Sequence, residues 1–259
     1  MPLSPRRLIP FALAALVVLA GCSTTTSTPV GLGHPHPRRT AMFETEIAVA
    51  YLQHGNRTGA LNAVHRALHF DPRLVSALDV LALLDEELGR LPAARKTYRR
   101  ALSVSPHDPN TLNDYGAFLC RIGEEHAAVR RFLEAAHNPA YRTPQAAYTN
   151  AAVCALKAND RVEADHALRR ALSLDPDFAP ALWQVARLER KAGDDTAAAR
   201  HLARFVDLEP RPAAAALWTL IRLERRLGHP RLAARYGAEL LRLYPGSPEA
   251  RRYLRTEGS

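Results

Sequence analysis

Residues 113–160 read NDYGAFLCRIGEEHAAVRRFLEAAHNPAYRTPQAAYTNAAVCALKAND, and this stretch decides the fold. It contains Gly123 and Asn159, each in a short polar turn, and Ala128 and Ala164 stand five residues after them. The same combination of turn and alanine recurs on both sides of the stretch. The chain is therefore built from a repeated unit whose period can be counted.

The period is 34 to 36 residues, as measured between the six turn residues Gly55, Gly89, Gly123, Asn159, Gly193 and Gly228. Five residues after each turn stands an alanine, in the column Ala60, Ala94, Ala128, Ala164, Ala198 and Ala233. Seventeen residues after five of the turns stands a proline, in the column Pro72, Pro106, Pro176, Pro210 and Pro245. Self-similarity of this length predicts stacked supersecondary units.

Each unit is predicted to be a pair of helices. A turn glycine supplies the left-handed backbone that ends the first helix, and asparagine is the residue best able to replace it. The proline closes the second helix. Small residues seven positions before five of the turns let two helices approach closely; they are Ala48, Ala82, Gly116, Ala152 and Ala186, while Ile221 breaks the row.

This pattern resembles the tetratricopeptide repeat, a 34-residue helix-turn-helix unit with small residues at fixed places and a closing proline. The resemblance covers residues 41–247 and implies an all-α fold, a right-handed superhelix of six tetratricopeptide repeats. Residues 248–259 would form a short basic cap or tail.

Residues 1–21 are predicted to be an export signal. Arg6 and Arg7 precede an apolar run that is too short to span a bilayer comfortably. The run ends in Leu-Ala-Gly-Cys, which resembles a bacterial lipobox and implies cleavage before Cys22 and its acylation. The alternative is an ordinary signal peptide with a chance cysteine.

Ser23, where a retained lipoprotein would carry Asp, resembles lipoproteins sorted to the outer membrane. We therefore expect a lipid-anchored protein of the outer membrane that faces the periplasm. Residues 22–40 are rich in Ser, Thr, Pro, Gly and His and predict a disordered tether.

The formal net charge is +9, and removal of Arg6 and Arg7 with the signal leaves +9 − 2 = +7. An exported lipoprotein meets little nucleic acid, so we expect no nucleic-acid partner. Acidic proteins, cell-wall polymer or anionic lipid are the expected partners. The alternative is that the arginines simply lie on solvated faces.

Cys120 and Cys154 are the cysteines left once Cys22 is acylated. In the repeat register they lie at similar levels on two neighbouring first helices, in an oxidising compartment. We predict a disulfide that stabilises the fold by roughly 3–4 kcal/mol on chain-entropy grounds. The alternative is a pair of buried free thiols. No metal site or cofactor is predicted.

Three segments give a narrower resemblance: Tyr115–Cys120, Asn138–Pro144 and Asn150–Lys157 look like the signature of the PilF/PilW family of type IV pilus biogenesis lipoproteins. The resemblance implies a pilotin-like role, in which the protein helps the pilus secretin reach the outer membrane and multimerise, or supports pilus stability. The chain departs mildly from the family at Ala152, where a glycine is usual, and at Asn159, which replaces a turn glycine.

In such a superhelix the first helices line the concave face. At its N-terminal end we expect an apolar patch beside acidic residues, made of Met42, Val49, Leu52 and Leu83 with Asp79, Glu86 and Glu87 nearby. At the other end we expect a tryptophan–arginine surface made of Trp183, Arg187, Arg190, Trp218, Arg222 and Arg225. The alternatives are that both tryptophans pack between repeats and that the tether or a second copy covers the apolar patch.

The sequence predicts a binding scaffold and no enzyme, because it has no Gly-x-Ser-x-Gly elbow, His-Glu-x-x-His motif or phosphate-binding glycine loop. The expected partners are the secretin or other pilus assembly proteins. A second hypothesis is a periplasmic adaptor lipoprotein that recruits cell-wall enzymes.

Overall fold

The structure is a computed structural model that describes residues 36–257. This part of the chain contains thirteen helices and no strand. The helices are α1 Pro37–Gln53, α2 Arg57–Phe70, α3 Val75–Glu87, α4 Leu91–Val104, α5 Pro109–Arg121, α6 Glu125–His137, α7 Pro144–Lys157, α8 Arg161–Leu174, α9 Ala179–Ala192, α10 Asp195–Leu208, α11 Ala214–Arg226, α12 Pro230–Leu243 and α13 Pro248–Glu257. Helices α1 to α12 form the six helix-turn-helix units that the sequence predicts.

The turn inside each unit has the left-handed backbone expected from the sequence. The φ angles are positive at the five turn glycines, and φ is +61° at Asn159. Asn159 is the one non-glycine residue with positive φ among residues 36–257. A Cβ atom is strained in this conformation, and asparagine tolerates it better than most residues do. The structure therefore confirms the prediction that Asn159 adopts the left-handed backbone of a turn glycine.

Side-chain caps fix where several second helices begin. Asn56, Asp160 and Asp194 each accept a hydrogen bond from the backbone N–H three residues later, at 2.9, 3.0 and 2.9 Å. These bonds satisfy N–H groups that have no partner inside the helix. The polar turns thus end one helix and start the next.

The small residues of the repeat columns are buried, as their spacing predicts. The column from Ala60 to Ala233 is at most 1% exposed. Gly116 lies against the Phe132 ring, where an added Cβ would come within 3.0 Å of ring carbons. Ile221, the exception in its row, is fully buried as well.

The first helices form the inner side of the array. Consecutive first helices from α1 to α9 approach one another, whereas consecutive second helices, within the described residues, have no Cα atoms within 8 Å of each other. Closer spacing on one side curves a stack of repeats toward that side. The first helices therefore line a concave groove.

The spacing of the first helices changes once, between α9 and α11. Within the described chain these two helices are the consecutive first helices that have no Cα atoms within 8 Å of each other. The connection before α11, residues 209–213, is one residue longer than the one before α9, residues 175–178. It contains Pro210 and the buried Pro212, each of which fixes its own φ angle.

The inserted connection in the third repeat is an ordered turn. The Asn138 side chain donates to the His107 carbonyl oxygen at 2.6 Å and accepts from the Ala140 N–H at 2.9 Å. The Tyr141 ring packs against the central core, and burial raises the pKa of its hydroxyl. These contacts fit the rigid bend that two prolines favour.

The structure corrects one boundary. Helix α1 begins at Pro37, so the last residues of the tether predicted at 22–40 are helical. The segment predicted at 248–259 as a cap or tail contains α13, which packs as a cap: its Ala250 and Tyr253 are buried against α11 and α12. The export signal, Cys22 and most of the tether lie outside the described residues. Within residues 36–257 no helix combines the length and apolar character that a membrane span requires.

Candidate protein-binding groove

The predicted apolar patch near the N-terminus is only partly exposed. Met42 and Val49 on α1 are 49% and 38% exposed, and Leu83 on α3 is 39% exposed. Leu52 packs against the core of the first two repeats, so its assignment to the groove surface was wrong. Phe43, which the repeat register did not single out, is the most exposed aromatic residue of α1, at 62%.

An acidic pocket opens on the groove between α3 and α5. Its volume is about 240 Å³, and it is lined by Asp79, Val80, Leu83, Tyr98, Asp114, Ala117 and Arg121. Thr111 donates to one carboxylate oxygen of Asp79 at 2.9 Å, while the other oxygen is buried and has no hydrogen-bond partner. The pocket therefore offers an unused acceptor beside an apolar wall.

The surroundings of the acidic pocket favour protonated carboxyl groups. Burial raises the pKa of Asp79 to about 7, the Thr111 hydrogen bond opposes this shift, and the negative charge of Asp114 adds to it. Burial also raises the pKa of Asp114, the other carboxyl group that lines the pocket. Glu86 and Glu87, which the sequence placed near this end, pair with Arg121 and Arg57.

A basic cleft occupies the wide gap between α9 and α11. It consists of two adjoining cavities of about 270 and 210 Å³ that share Arg190, Thr219 and Leu223. Arg222 and Arg226 line one cavity, and Trp183 and Arg187 line the other. No carboxylate lines either cavity.

The structure brings most of the predicted tryptophan–arginine surface together. The Trp183 ring packs on Phe205 at a centroid distance of 5.4 Å and presents its remaining surface to the cleft. Trp218 is half-buried against the C-terminal core and lines neither cavity. Trp183 therefore packs on a residue of its own repeat, while Trp218 packs against a core that residues of two repeats and α13 share.

Arg225 does not belong to the groove surface. Its guanidinium lies 5.3 Å from the Tyr253 ring centroid and donates to the Thr256 hydroxyl at 2.8 Å. It therefore attaches α13 to α11. The sequence register could not show this, because the contact is made with the tail and not with another repeat.

Another cavity lies between the second helices α4 and α6, away from the groove. It measures about 480 Å³ and mixes arginines with Glu124 and Glu134. Arg95 makes a bidentate pair with Glu124 at 3.0 and 2.6 Å, and Arg131 pairs with Glu134 at 2.7 Å. These internal pairs leave it less suited to a charged ligand than the groove.

Cys120 on α5 and Cys154 on α7 face each other as their register predicts. Their Cα atoms are 5.9 Å apart, within the range that a disulfide requires. The described residues contain no group of three or more His, Cys, Asp or Glu side chains placed to hold a metal ion.

The fold and the groove define a tetratricopeptide-repeat protein. Residues 145–178 match the tetratricopeptide repeat family. Proteins of this kind are typically non-enzymatic scaffolds for protein–protein interaction.

Similar proteins of known role indicate a narrower class within the tetratricopeptide-repeat proteins. The chain is 27% identical over 177 residues to the type IV pilus assembly protein PilF of Pseudomonas aeruginosa, which covers 66% of this chain and 67% of that protein. The solved structure of P. aeruginosa PilF matches with a TM-score of 0.73 and 26% identity, covering 85% of this chain and 99% of that one. The structure of PilW, a widely conserved type IV pilus biogenesis factor, matches with a TM-score of 0.70 and 28% identity, covering 83% and 98%. The chain is thus homologous to PilF, and its structure matches those of PilF and PilW, which are tetratricopeptide-repeat proteins of type IV pilus biogenesis.

Proposed function

We propose that this protein is an outer-membrane lipoprotein that acts as a pilotin-like scaffold in type IV pilus biogenesis. It binds the pilus secretin, or another pilus assembly protein, and promotes its localisation and multimerisation or the stability of the pilus. The observation that carries the proposal is that the match with the PilF structure spans 99% of that chain.

The mechanism follows from a rigid groove on a lipid-anchored tether. The groove offers chemically distinct pockets on first helices, which suits the binding of an extended partner segment. A lipid on Cys22 would confine this groove to a thin layer beside the membrane. Partner subunits held in that layer meet at a raised local concentration, which favours insertion and oligomerisation.

The first experiment compares cells that lack the protein with cells that produce the Cys22→Ala variant. We expect SDS-resistant secretin multimers to vanish, or to remain in the inner membrane, in both strains. Membrane fractionation followed by immunoblotting of the secretin measures the effect. Ser23→Ala is the matched control, because it changes the neighbouring residue and keeps the acylated cysteine.

A further variant, Ser23→Asp, separates lipidation from sorting. It retains Cys22 and is expected to keep the lipoprotein in the inner membrane. The secretin multimers should then be found in the inner membrane or should not form. Unchanged multimers and unchanged location in the deletion strain would rule out a role in assembly. A cell-wall defect with normal pili would favour the adaptor hypothesis.

A further inference from the structure

The cleft between α9 and α11 has an unbalanced positive charge. Helix α9 carries one acidic residue, Glu189, and α11 carries one, Glu224. Glu189 is 2.8 Å from a ring nitrogen of His201, and Glu224 is 2.8 Å from a ring nitrogen of His229. Both carboxylates are thus engaged by the second helices and do not line the cleft.

The arginines of the cleft fall into two groups. Arg226 is paired with Asp195 at 2.9 Å, and Arg187 donates to the side-chain oxygen of Gln184 at 3.2 Å. The guanidinium groups of Arg190 and Arg222 have no hydrogen-bond or ion-pair partner among the described residues. Two exposed cations from adjacent repeats therefore face one recess without a counter-charge.

Buried apolar side chains lie behind the surface of the cleft. Leu202 and Leu223 are about 1% exposed, and Ala186 is 4% exposed. The Trp183 ring is supported from behind by Phe205. A fixed indole beside free guanidinium groups can contact the aliphatic and backbone parts of a peptide while the arginines bind its acidic groups.

We propose that the cleft between α9 and α11 binds a carboxylate-bearing peptide segment of a protein partner, with Arg190 and Arg222 holding the carboxylates and Trp183 packing against the chain. Charge complementarity selects an acidic ligand, since no carboxylate among residues 36–257 lines the recess. The recess lies between two helices on the inner side of the array, where a narrow extended peptide fits and a flat bilayer surface does not. This inference rests on the proposed function, because it assumes that the groove is the surface that binds the partner.

The test uses the full chain, purified in micelles of a non-ionic detergent, and a fluorescent peptide. The peptide is an extended segment of about ten residues, long enough to cross the cleft, with several glutamates in an alanine–serine background. Its matched partner carries glutamine at every glutamate. We expect saturable binding of the glutamate peptide, binding of the glutamine peptide that is weaker by about tenfold or more, and a strong decrease at high salt.

The double variant Arg190→Ala/Arg222→Ala is expected to weaken binding of the glutamate peptide by about tenfold or more. The double variant Arg200→Ala/Arg231→Ala removes the same charge from exposed positions on α10 and α12 and should bind like the unchanged protein. Arg190→Lys/Arg222→Lys keeps the charge and should recover part of the affinity, since lysine lacks the planar bidentate geometry. Circular dichroism verifies that all variants are folded.

Three results would overturn the inference. The first is the absence of saturable binding at about 1 mM peptide. The second is an equal loss of peptide affinity in the cleft variant and in its control. The third is displacement of the peptide by phosphatidylglycerol, added to the micelles, with an affinity equal to that of the peptide. The last result would assign the cleft to a lipid headgroup. If deletion abolishes the secretin multimers but the arginine substitutions leave peptide binding unchanged, this inference is overturned and the proposed function is not. Arginine-dependent binding together with unchanged multimers overturns only the secretin role.

Discussion

The two ends of the groove are lined by the same kind of helix and differ in charge and in helix spacing. Between α3 and α5 the helices touch, and Asp79 and Asp114 share a pocket with Leu83. Between α9 and α11 the helices stand apart, and Arg190 and Arg222 face a recess without a carboxylate. The repeat columns occupy buried positions, so the groove surface can change from unit to unit while the backbone stays repeated.

The centre of the array and its C-terminal end also rely on different stabilising contacts. In the centre the Cα atoms of Cys120 and Cys154 are 5.9 Å apart, and Tyr98 stacks on Tyr115 at a centroid distance of 5.4 Å. The C-terminal end has no cysteine and is closed by α13, where Tyr253 packs against α12 and beneath Arg225. Three changes, in order of decreasing expected effect, test this contrast.

The largest effect is expected from Cys120→Ser/Cys154→Ser in the centre of the array. The cysteines are 34 residues apart, and opening a loop of this size costs about 3–4 kcal/mol of unfolding free energy. Urea unfolding of the variant and the unchanged protein measures the difference. A reducing agent should destabilise the unchanged protein and leave the variant unaffected, which serves as the control.

Mass spectrometry tests the same prediction directly. Alkylation in denaturant without a reducing agent should leave Cys120 and Cys154 unmodified, and alkylation in denaturant after reduction should label both. Labelling of both cysteines in the denatured, unreduced protein would show that they are free thiols.

A smaller effect is expected from Gly237→Ala at the C-terminal end. An added Cβ would lie 2.0 Å from the Tyr253 ring, so the ring must move and α13 must loosen. We expect a loss of about 2 kcal/mol, as is typical of overpacking. Hydrogen exchange should show faster exchange in α13 and unchanged protection in α5 and α7.

Gly246→Ala is the matched control for this substitution, because a Cβ there meets no atom within 4 Å. Equal protection of α13 in the unchanged protein and in Gly237→Ala would refute the view that Tyr253 holds the C-terminal end together.

The smallest effect is expected from Asp79→Asn, which tests the acidic pocket. The pKa of Asp79 is about 7 in the folded chain and 3.8 without the fold, so the folded state binds the proton more tightly. The contribution to stability is fully present below the unfolded pKa and is lost as the pH rises through 7. The unchanged protein should therefore lose about 1–2 kcal/mol between about pH 6 and pH 8 from this group.

Urea midpoints at these two pH values measure the loss, and Asp79→Asn should reduce the pH dependence. Asp165→Asn is the control, since Asp165 forms an exposed pair with Arg169. An unchanged pH dependence in Asp79→Asn would show that Asp79 is ionised at neutral pH in the folded protein.

Much of the scaffold was predictable from local signals. Asn159 was identified as a turn residue because its position in the period required a left-handed backbone, and the structure has φ +61° there. Cys120 and Cys154 were placed on neighbouring helices by register alone, and their Cα atoms are 5.9 Å apart. Both inferences succeed because equivalent positions in stacked repeats occupy equivalent places.

The details of the groove were less predictable. Leu52 and Arg225 were assigned to its surface by the same register, yet Leu52 packs into a core and Arg225 holds α13. The acidic pocket was anticipated only as acidic residues beside an apolar patch. The elevated pKa of Asp79 could not be anticipated, because it depends on burial and on Asp114 from the next repeat.

By itself the sequence determined the class of fold, the number of repeats and the ends of most helices. These features depend on local chemistry: a left-handed turn residue, a capping side chain, a closing proline and a column of small residues. Only the tertiary structure decided how far α11 stands from α9, which arginines lack a partner and which carboxylates are buried. Those features depend on the distances between helices of different repeats, which no local signal in the sequence sets.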